Sequence, residues 1–189
     1  NGSHFSYYNK EIGLPTDNIL VINQDLNGNI LLGTEGQGFA IIKDSLIINY
    51  SANNDFLSNT IYDIYVDENN NYWLASAQAG LILYDGDRYK SISVEYGLSS
   101  NYAYSIVRGE DKDNNMTLWV GTRDGLNRLS IDKDLNIADV RTIKYSDGFY
   151  GTSCNSRSIV KAKNRIYVGT GDRMSIVNFL SPIFKDLPF

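Results

Sequence analysis

Three short stretches carry residue types that chemistry would need. Gly121-Thr122-Arg123-Asp124-Gly125 has the glycines and hydroxyl of a loop that could wrap phosphate with backbone N–H groups. Asp25-Leu26-Asn27-Gly28-Asn29 and Asp67-Glu68-Asn69-Asn70-Asn71 place carboxylate and amide oxygens at alternate positions, as the opening of a calcium loop does. Neither pattern is completed. A phosphate loop should open a helix or supply a following lysine, and none is present here. The twelfth positions of the calcium-like runs are Gly36 and Gln78 in place of glutamate, and no helical period flanks them. Tight hairpin turns explain Asn, Asp and Gly in these runs, because all three tolerate positive φ and bond their own backbone. No metal and no cofactor is therefore expected.

Nucleophilic catalysis has equally little to use. His4 is the single histidine and lies near the N-terminus, and Cys154 is the single cysteine. A Ser-His-Asp or Cys-His arrangement, an intrachain disulfide and a thiolate zinc cluster all lack their parts. The carboxylates fall mainly in turns, so this segment is expected not to be an enzyme, with any catalytic domain elsewhere in a longer chain. The net charge of −5 comes with scattered lysines and arginines, which leaves a nucleic-acid backbone no basic stripe to meet. No apolar run reaches the length of about 20 residues that spans a bilayer, so a membrane is expected only through the full-length chain.

The elements that would hold a site repeat. Ile30-Leu31-Leu32-Gly33-Thr34 has relatives in Tyr72-Trp73-Leu74-Ala75-Ser76, Leu118-Trp119-Val120-Gly121-Thr122 and Ile166-Tyr167-Val168-Gly169-Thr170. Their second positions, 31, 73, 119 and 167, are 42, 46 and 48 residues apart. An apolar strand precedes each one (Ile19 to Ile22, Ile61 to Val66, Tyr104 to Val107, Ser158 to Val160). Another follows (Phe39 to Ile42, Leu81 to Tyr84, Leu126 to Leu129, Met174 to Phe179). A fourth is readable at Leu46 to Tyr50, Tyr89 to Ser93 and Val140 to Tyr145. Four strands per unit at this period, with no 3.6-residue pattern, predict an all-β protein built of β-propeller blades.

The units run 9–50, 51–93, 94–145 and an incomplete 146–180, followed by a tail at 181–189. Phe5 to Tyr8 is expected to be the outer strand of a preceding or closing blade. Four blades would make a strongly curved ring, and an open arc would expose apolar blade faces. The expectation is a fragment of a larger propeller or two arcs paired by a two-fold axis.

Gly97-Leu98-Ser99-Ser100-Asn101, a strand, a polar turn and then Leu118-Trp119-Val120-Gly121-Thr122-Arg123-Asp124-Gly125-Leu126 together resemble the two-component regulator propeller repeat. The resemblance covers about residues 10 to 180. Leu31 and Tyr167 replace its tryptophan, Ala75-Ser76 its Gly-Thr, and Arg173-Met174 its usual Gly-Leu. The last unit, with Ser181-Pro182-Ile183, resembles the final blade before an immunoglobulin-like module. The resemblance implies the periplasmic sensor part of a hybrid two-component system, a histidine kinase of glycan-degrading gut bacteria, with oligosaccharide as the typical signal. It implies no particular sugar. The alternative is a structural or dimerisation array that binds no ligand.

Trp73 and Trp119 share one strand position with Leu31 and Tyr167, so packing between blades is expected of them in preference to sugar stacking. Gly33, Ala75, Gly121 and Gly169 are expected to be small because a neighbouring backbone comes close. Thr34, Ser76, Thr122 and Thr170 are expected to bond the turn that follows. In a four-stranded blade, the joint before the inner strand and the turn between its second and third strands emerge on one face. The candidates for contact with an oligosaccharide or other small ligand on that face come from both sets of loops. Asn18, Thr60, Asn101, Tyr102, Asn155 and Arg157 come from the joints. Gln37, Gln78, Arg123, Asp124, Asp172 and Arg173 come from the turns. The joint from Ser146 to Arg157, with Tyr150 and Cys154, departs most from the repeat.

Overall fold

Polar turns of a few residues between apolar runs leave each run only its sequence neighbour to pair with, so the chain folds unit by unit. The computed structural model describes residues 4–51, 57–110 and 115–178. The first sheet holds β1 (Ile19–Gln24), β2 (Ile30–Thr34), β3 (Phe39–Lys43) and β4 (Leu46–Tyr50), in that spatial order and antiparallel throughout. The second holds β5 (Ile61–Val66), β6 (Tyr72–Ser76), β7 (Gly80–Tyr84) and β8 (Tyr89–Ile92). The third holds β9 (Ala103–Arg108), β10 (Met116–Thr122), β11 (Gly125–Ile131) and β12 (Ile137–Ile143). The fourth has three strands among the described residues, β13 (Cys154–Ala162), β14 (Arg165–Thr170) and β15 (Met174–Asn178). The first strands of successive sheets lie side by side, as the inner strands of propeller blades do. The protein is all-β, with four sheets of antiparallel strands and 3-10 turns in the joints.

Successive sheets seal against each other through apolar rows that alternate along each strand. Leu31, Phe39 and Ile41 of the first sheet meet Ile61, Ile64, Leu74 and Ile82 of the second. Trp73, Leu81 and Leu83 of the second meet Ala103, Ile106, Leu118 and Val120 of the third. Trp119 and Leu126 of the third meet Ile166, Val168 and Val177 of the fourth. Both tryptophans therefore fill blade interfaces, at 0% and 4% exposure. The small position beside them is a close approach: a Cβ on Gly33 would stand 2.9 Å from the Ile61 carbonyl oxygen, and one on Gly121 2.8 Å from the Cys154 Cβ. Hydroxyls close the second–third turns. Thr34, Ser76, Thr122 and Thr170 donate to the carbonyls of Gly38, Gly80, Gly125 and Arg173 at 2.8–2.9 Å.

Two expectations need correction. Phe5–Tyr8 forms no strand, and Phe5 and Tyr7 stay more than four-fifths exposed. Its place before the Gly13-Leu14 joint suits an outer strand, but among the described residues no strand pairs with it, and the chain turns at once into a 3-10 turn, Lys10–Ile12, capped by Asn9. Cys154 to Arg157, read as part of a long joint, belongs to β13, which begins at Cys154. Asp55 and Phe56, Phe179 and the tail at 181–189 lie outside the described residues.

Candidate functional site

The loop face takes its shape from one irregularity present in every inner strand. In β1 the pairing with β2 shifts between Ile19 and Val21, and in β5 the pairing with β6 shifts between Ile61 and Asp63. In β9 Ala103 and Ser105 face consecutive residues of β10. One residue per strand is thus left out of the ladder: Leu20, Tyr62 and Tyr104. A bulge of this kind bends the strand and re-aims the extra side chain. In β13 the irregularity is wider. Cys154 pairs with Thr170 and Ile159 with Val168, so four residues, Asn155 to Ser158, stand against Gly169 alone.

The bulges collect aromatic and polar groups in one place. Tyr62 and Tyr104 meet edge to face with ring centroids 5.1 Å apart. Together with Ser153, Cys154, Asn155 and Ser156 they line a cavity of about 250 Å³. Burial, with the neighbouring Tyr104, Glu35 and Tyr102 adding to it, pushes the Tyr62 phenol up, so it is a neutral donor and acceptor at ordinary pH. Beside it, Tyr102 lies under the Arg123 guanidinium at 4.8 Å, and Arg123 is 3.5 Å from Asp124. Asp63 sits next to Tyr62 and ties the blades together. Its carboxylate accepts from the Ile106 N–H at 2.9 Å and from the Ile64 N–H at 3.0 Å. Burial raises its pKa, while those two bonds and the charge of Arg157 pull it back.

The residues expected from sequence divide into three groups. Asn155 lines the cavity, Tyr102 acts on Tyr62 and carries Arg123, which pairs with Asp124, and the charge of Arg157 acts on Asp63. Asn155 donates to the Thr170 carbonyl at 3.0 Å, and Arg157 adopts a left-handed φ of 51° within the wide bulge. Asn18 donates to Glu35, whose charge reaches Tyr62. Asn101 and Thr60 serve the joints themselves. The Asn101 side chain accepts from the Val94 N–H at 2.9 Å, and the Thr60 hydroxyl accepts from the Gly36 N–H at 3.1 Å. Gln37, Gln78, Asp172 and Arg173 are exposed in the second–third turns, with Asp172 and Arg173 paired at 2.8 Å. Sequence reasoning missed Tyr62, Tyr104, Asp63 and Glu35. Strand membership hid the first three, and Glu35 lies in the second–third turn just past β2. The available signal was that residues 62 and 104 follow the joints at the same offset as Leu20, where two large polar-tipped rings replace an aliphatic one.

The calcium-like runs are turns whose carboxylates are already occupied by protein donors. Asp25 accepts from the Asn27 and Asn29 N–H groups, the Asn29 amide and the Tyr72 hydroxyl, at 2.7–2.9 Å. Asp67 accepts from the matching backbone groups, the Asn71 amide and the Trp73 indole, at 2.9–3.0 Å. Among the described residues no cluster of three or more His, Cys, Asp or Glu side chains is placed to hold a metal ion.

Four sheets joined at their inner strands, with a cavity on the loop face, define a segment of β-propeller. Residues 55–78 match the two component regulator propeller repeat, as the resemblance to that family implied. The fold is similar to the extracellular domain of the hybrid two component system BT3049 from B. thetaiotaomicron, with a TM-score of 0.78 and 25% identity, over 92% of this chain and 23% of that one. It is similar also to the extracellular domain of the hybrid two component system BT4673 from the same organism, with a TM-score of 0.64 and 18% identity, over 95% of this chain and 23% of that one. A catalytically inactive virginiamycin B lyase from Staphylococcus aureus, in complex with quinupristin, shares the fold with a TM-score of 0.53 and 16% identity, over 89% of this chain and 59% of that one. The chain thus spans about a quarter of the length of the two sensor domains. No curated protein sequence matches it.

Proposed function

We propose that the chain is an extracytoplasmic, periplasmic ligand-sensing propeller segment of a hybrid two-component sensor. Its ligand is an oligosaccharide, and binding is relayed to a membrane-spanning histidine kinase elsewhere in the full-length protein. One observation carries the ligand part of this reading: the inner-strand bulges turn Tyr62 and Tyr104 onto a cavity whose other walls offer the hydroxyls of Ser153 and Ser156 and the amide of Asn155. A saccharide offers an apolar ring face and a fringe of hydroxyls. Tyrosine rings suit the first, and Asn155, Tyr102, Arg123, Asp124 and Arg157 suit the second. The repeat match and the likeness to the BT3049 domain support the sensor context. The role proposed for the segment is binding, with catalysis left to other domains of the full-length protein.

Relay requires that the ligand bind one signalling arrangement better than the other. The cavity suits this, since its walls come from the second, third and fourth sheets, and filling it restrains them together. Titration calorimetry against a panel of oligosaccharides tests the reading. Binding is expected for at least one series, and Tyr104→Ala is expected to weaken it roughly ten-fold or more. Absence of binding to the whole panel, alongside stable self-association, would favour the structural array.

A second observation favours self-association or continuation into further blades. Tyr167 holds the position at which Leu31, Trp73 and Trp119 pack on the next blade. It is paired across strands with Val160 and Ile176, which are 56% and 42% exposed. At the other end, Ile19, Ile30, Ile42 and Ile47 are only partly buried around Leu14 and Leu32. Two such faces can cover each other in a two-fold pair of arcs. Light scattering decides this: a mass twice that of the chain supports pairing, and a compact monomer counts against it.

A further inference from the structure

The joint that leads into the fourth sheet walls a second cavity, and of the site residues above only Asp124 lines it. It measures about 210 Å³ and lies between the third sheet and the joint that follows it, lined by Asp124, Ile143, Lys144, Tyr145, Phe149 and Tyr150 with neighbouring backbone. Its floor is apolar, with Ile143 and Phe149 at 1% and 3% exposure. Its walls are two tyrosines, Tyr145 at 74% and Tyr150 at 45% exposure, meeting edge to face at 4.8 Å.

Neither tyrosine is required by the fold, as the repeat demonstrates. Each of three joints begins with a 3-10 turn, Lys10–Ile12, Val94–Tyr96 or Tyr145–Asp147, and ends it on a left-handed glycine. A buried apolar residue follows: Leu14, Leu98 or Phe149. In that alignment Tyr145 stands where the others have Lys10 and Val94, and Tyr150 where they have Pro15 and Ser99. The same geometry is reached with four unrelated side chains, so the pair of exposed rings is an addition to the scaffold. Ser99 keeps its hydroxyl on Thr122 at 2.8 Å, whereas Tyr150 instead faces the cleft.

We propose that this cleft is a second saccharide subsite, taking one neutral pyranose unit of the same chain that enters the Tyr62–Tyr104 cavity. The inference rests on the carbohydrate reading given above. The volume is below that of pockets for drug-sized ligands, which suits a single ring and not a whole oligosaccharide. The rim carries one carboxylate, Asp124, and one ammonium, Lys144, so it offers hydroxyl partners of both kinds with no excess of either charge. Asp124 is itself paired with Arg123, the cation stacked on Tyr102 at the first cavity. The two cavities are lined by consecutive stretches of chain: residues 149–152 line the cleft and residues 153–156 line the other cavity. A bound glycan therefore runs over this joint, and its length is read by how far it reaches.

The test uses calorimetry with neutral glucan, xylan, mannan and galactan series, each from disaccharide to octasaccharide, and a uronate-containing series of matched lengths. For the series that binds, the double variant Tyr145→Ala, Tyr150→Ala is expected to weaken the octasaccharide roughly ten-fold and leave the disaccharide unchanged. Tyr104→Ala is expected to weaken both. Tyr150→Trp keeps a ring at the wall and is expected to keep the length dependence. Because both tyrosines are exposed, the double variant should melt as the parent does. Octasaccharide binding unchanged in the double variant overturns the subsite while leaving the main reading intact. Tighter binding of the uronate series overturns its neutral character. Failure of every series to bind the parent overturns both readings.

Discussion

Asp67→Asn changes one oxygen of the chain to nitrogen, and the structure sets what that costs. Asp67 is 2% exposed. One carboxylate oxygen accepts from the Asn69 and Asn71 N–H groups, and asparagine can keep those bonds with its carbonyl. The other oxygen accepts from the Asn71 amide at 2.9 Å and the Trp73 indole at 3.0 Å. An NH2 group placed there faces two donors. Asn71 can turn its amide over and offer oxygen, but the indole N–H of a fully buried tryptophan has no such freedom. One buried donor left unpaired, with the loss of a charge-assisted bond, costs about 2–3 kcal/mol. At a urea dependence of about 2 kcal/mol per molar, the unfolding midpoint should fall by roughly 1 M with an unchanged slope. Circular dichroism should follow it, since indole fluorescence reports the altered bond as well as unfolding. Asp132→Asn is the control. Asp132 holds the same turn through the Asp134 and Asn136 N–H groups and the Asn136 amide, but no indole donates to it. A midpoint lowered equally by both substitutions would refute the assignment of the cost to the buried indole.

Acid should destabilise the protein. The Asp25 carboxyl is lowered despite burial because the Tyr72 hydroxyl, the Asn29 amide and the turn N–H groups outweigh it, and Asp85 and Asp172 are lowered by their own hydrogen bonds. A depressed carboxyl stabilises above its unfolded value of about 3.9 and loses that contribution as pH falls through the folded value, so denaturation midpoints should drop below about pH 4. Asp63 works in the opposite sense. Burial raises its pKa, so its ionisation opposes folding as pH rises through the folded value, and Asp63→Asn should remove that decline from the stability curve just above about pH 4. Burial also pushes the Cys154 thiol up to about 11, so it should stay inert to a disulfide reagent near pH 8 in the native state and react once urea unfolds the chain.

The scaffold was legible because it is stated several times over in the sequence. Period, strand order, the interface role of Trp73 and Trp119 and the turn role of Thr34 and Thr122 each rest on several copies of one physical requirement. Comparison among copies replaces knowledge of the contacts. The outer-strand reading of Phe5–Tyr8 rested only on its place before the Gly13-Leu14 joint, which says where a strand would sit and not that an edge is beside it. The candidate site was legible only as a face. Tyr62 and Tyr104 lie within segments that read as ordinary strand, and a bulge has no signature beyond one unpaired residue. Arg123 and Asn155 lie near Tyr102 and the Tyr62–Tyr104 cavity, whereas the joints themselves consume the Asn101 and Thr60 side chains, which the sequence could not show.

What departs from the repeat locates what the repeat does not need. The joint from Ser146 to Arg157 stands out in sequence, and its departure resolves into two parts with different physics. From Tyr145 to Tyr150 the backbone repeats the 3-10 turn and left-handed glycine of the other joints, and the difference lies in the side chains the loop presents. From Asn155 to Ser158 the backbone itself differs, with four residues against Gly169 where the other inner strands set aside one. Arg157 is held there at a positive φ, a conformation costly for arginine that needs surrounding structure to keep it. The Ser158 hydroxyl supplies part of that support, its one proton shared between the Asn155 carbonyl at 2.6 Å and the Gly169 carbonyl at 2.9 Å. The wide bulge is therefore braced against the very strand it departs from, and this brings Asn155 and Ser156 to the cavity wall opposite Tyr62 and Tyr104.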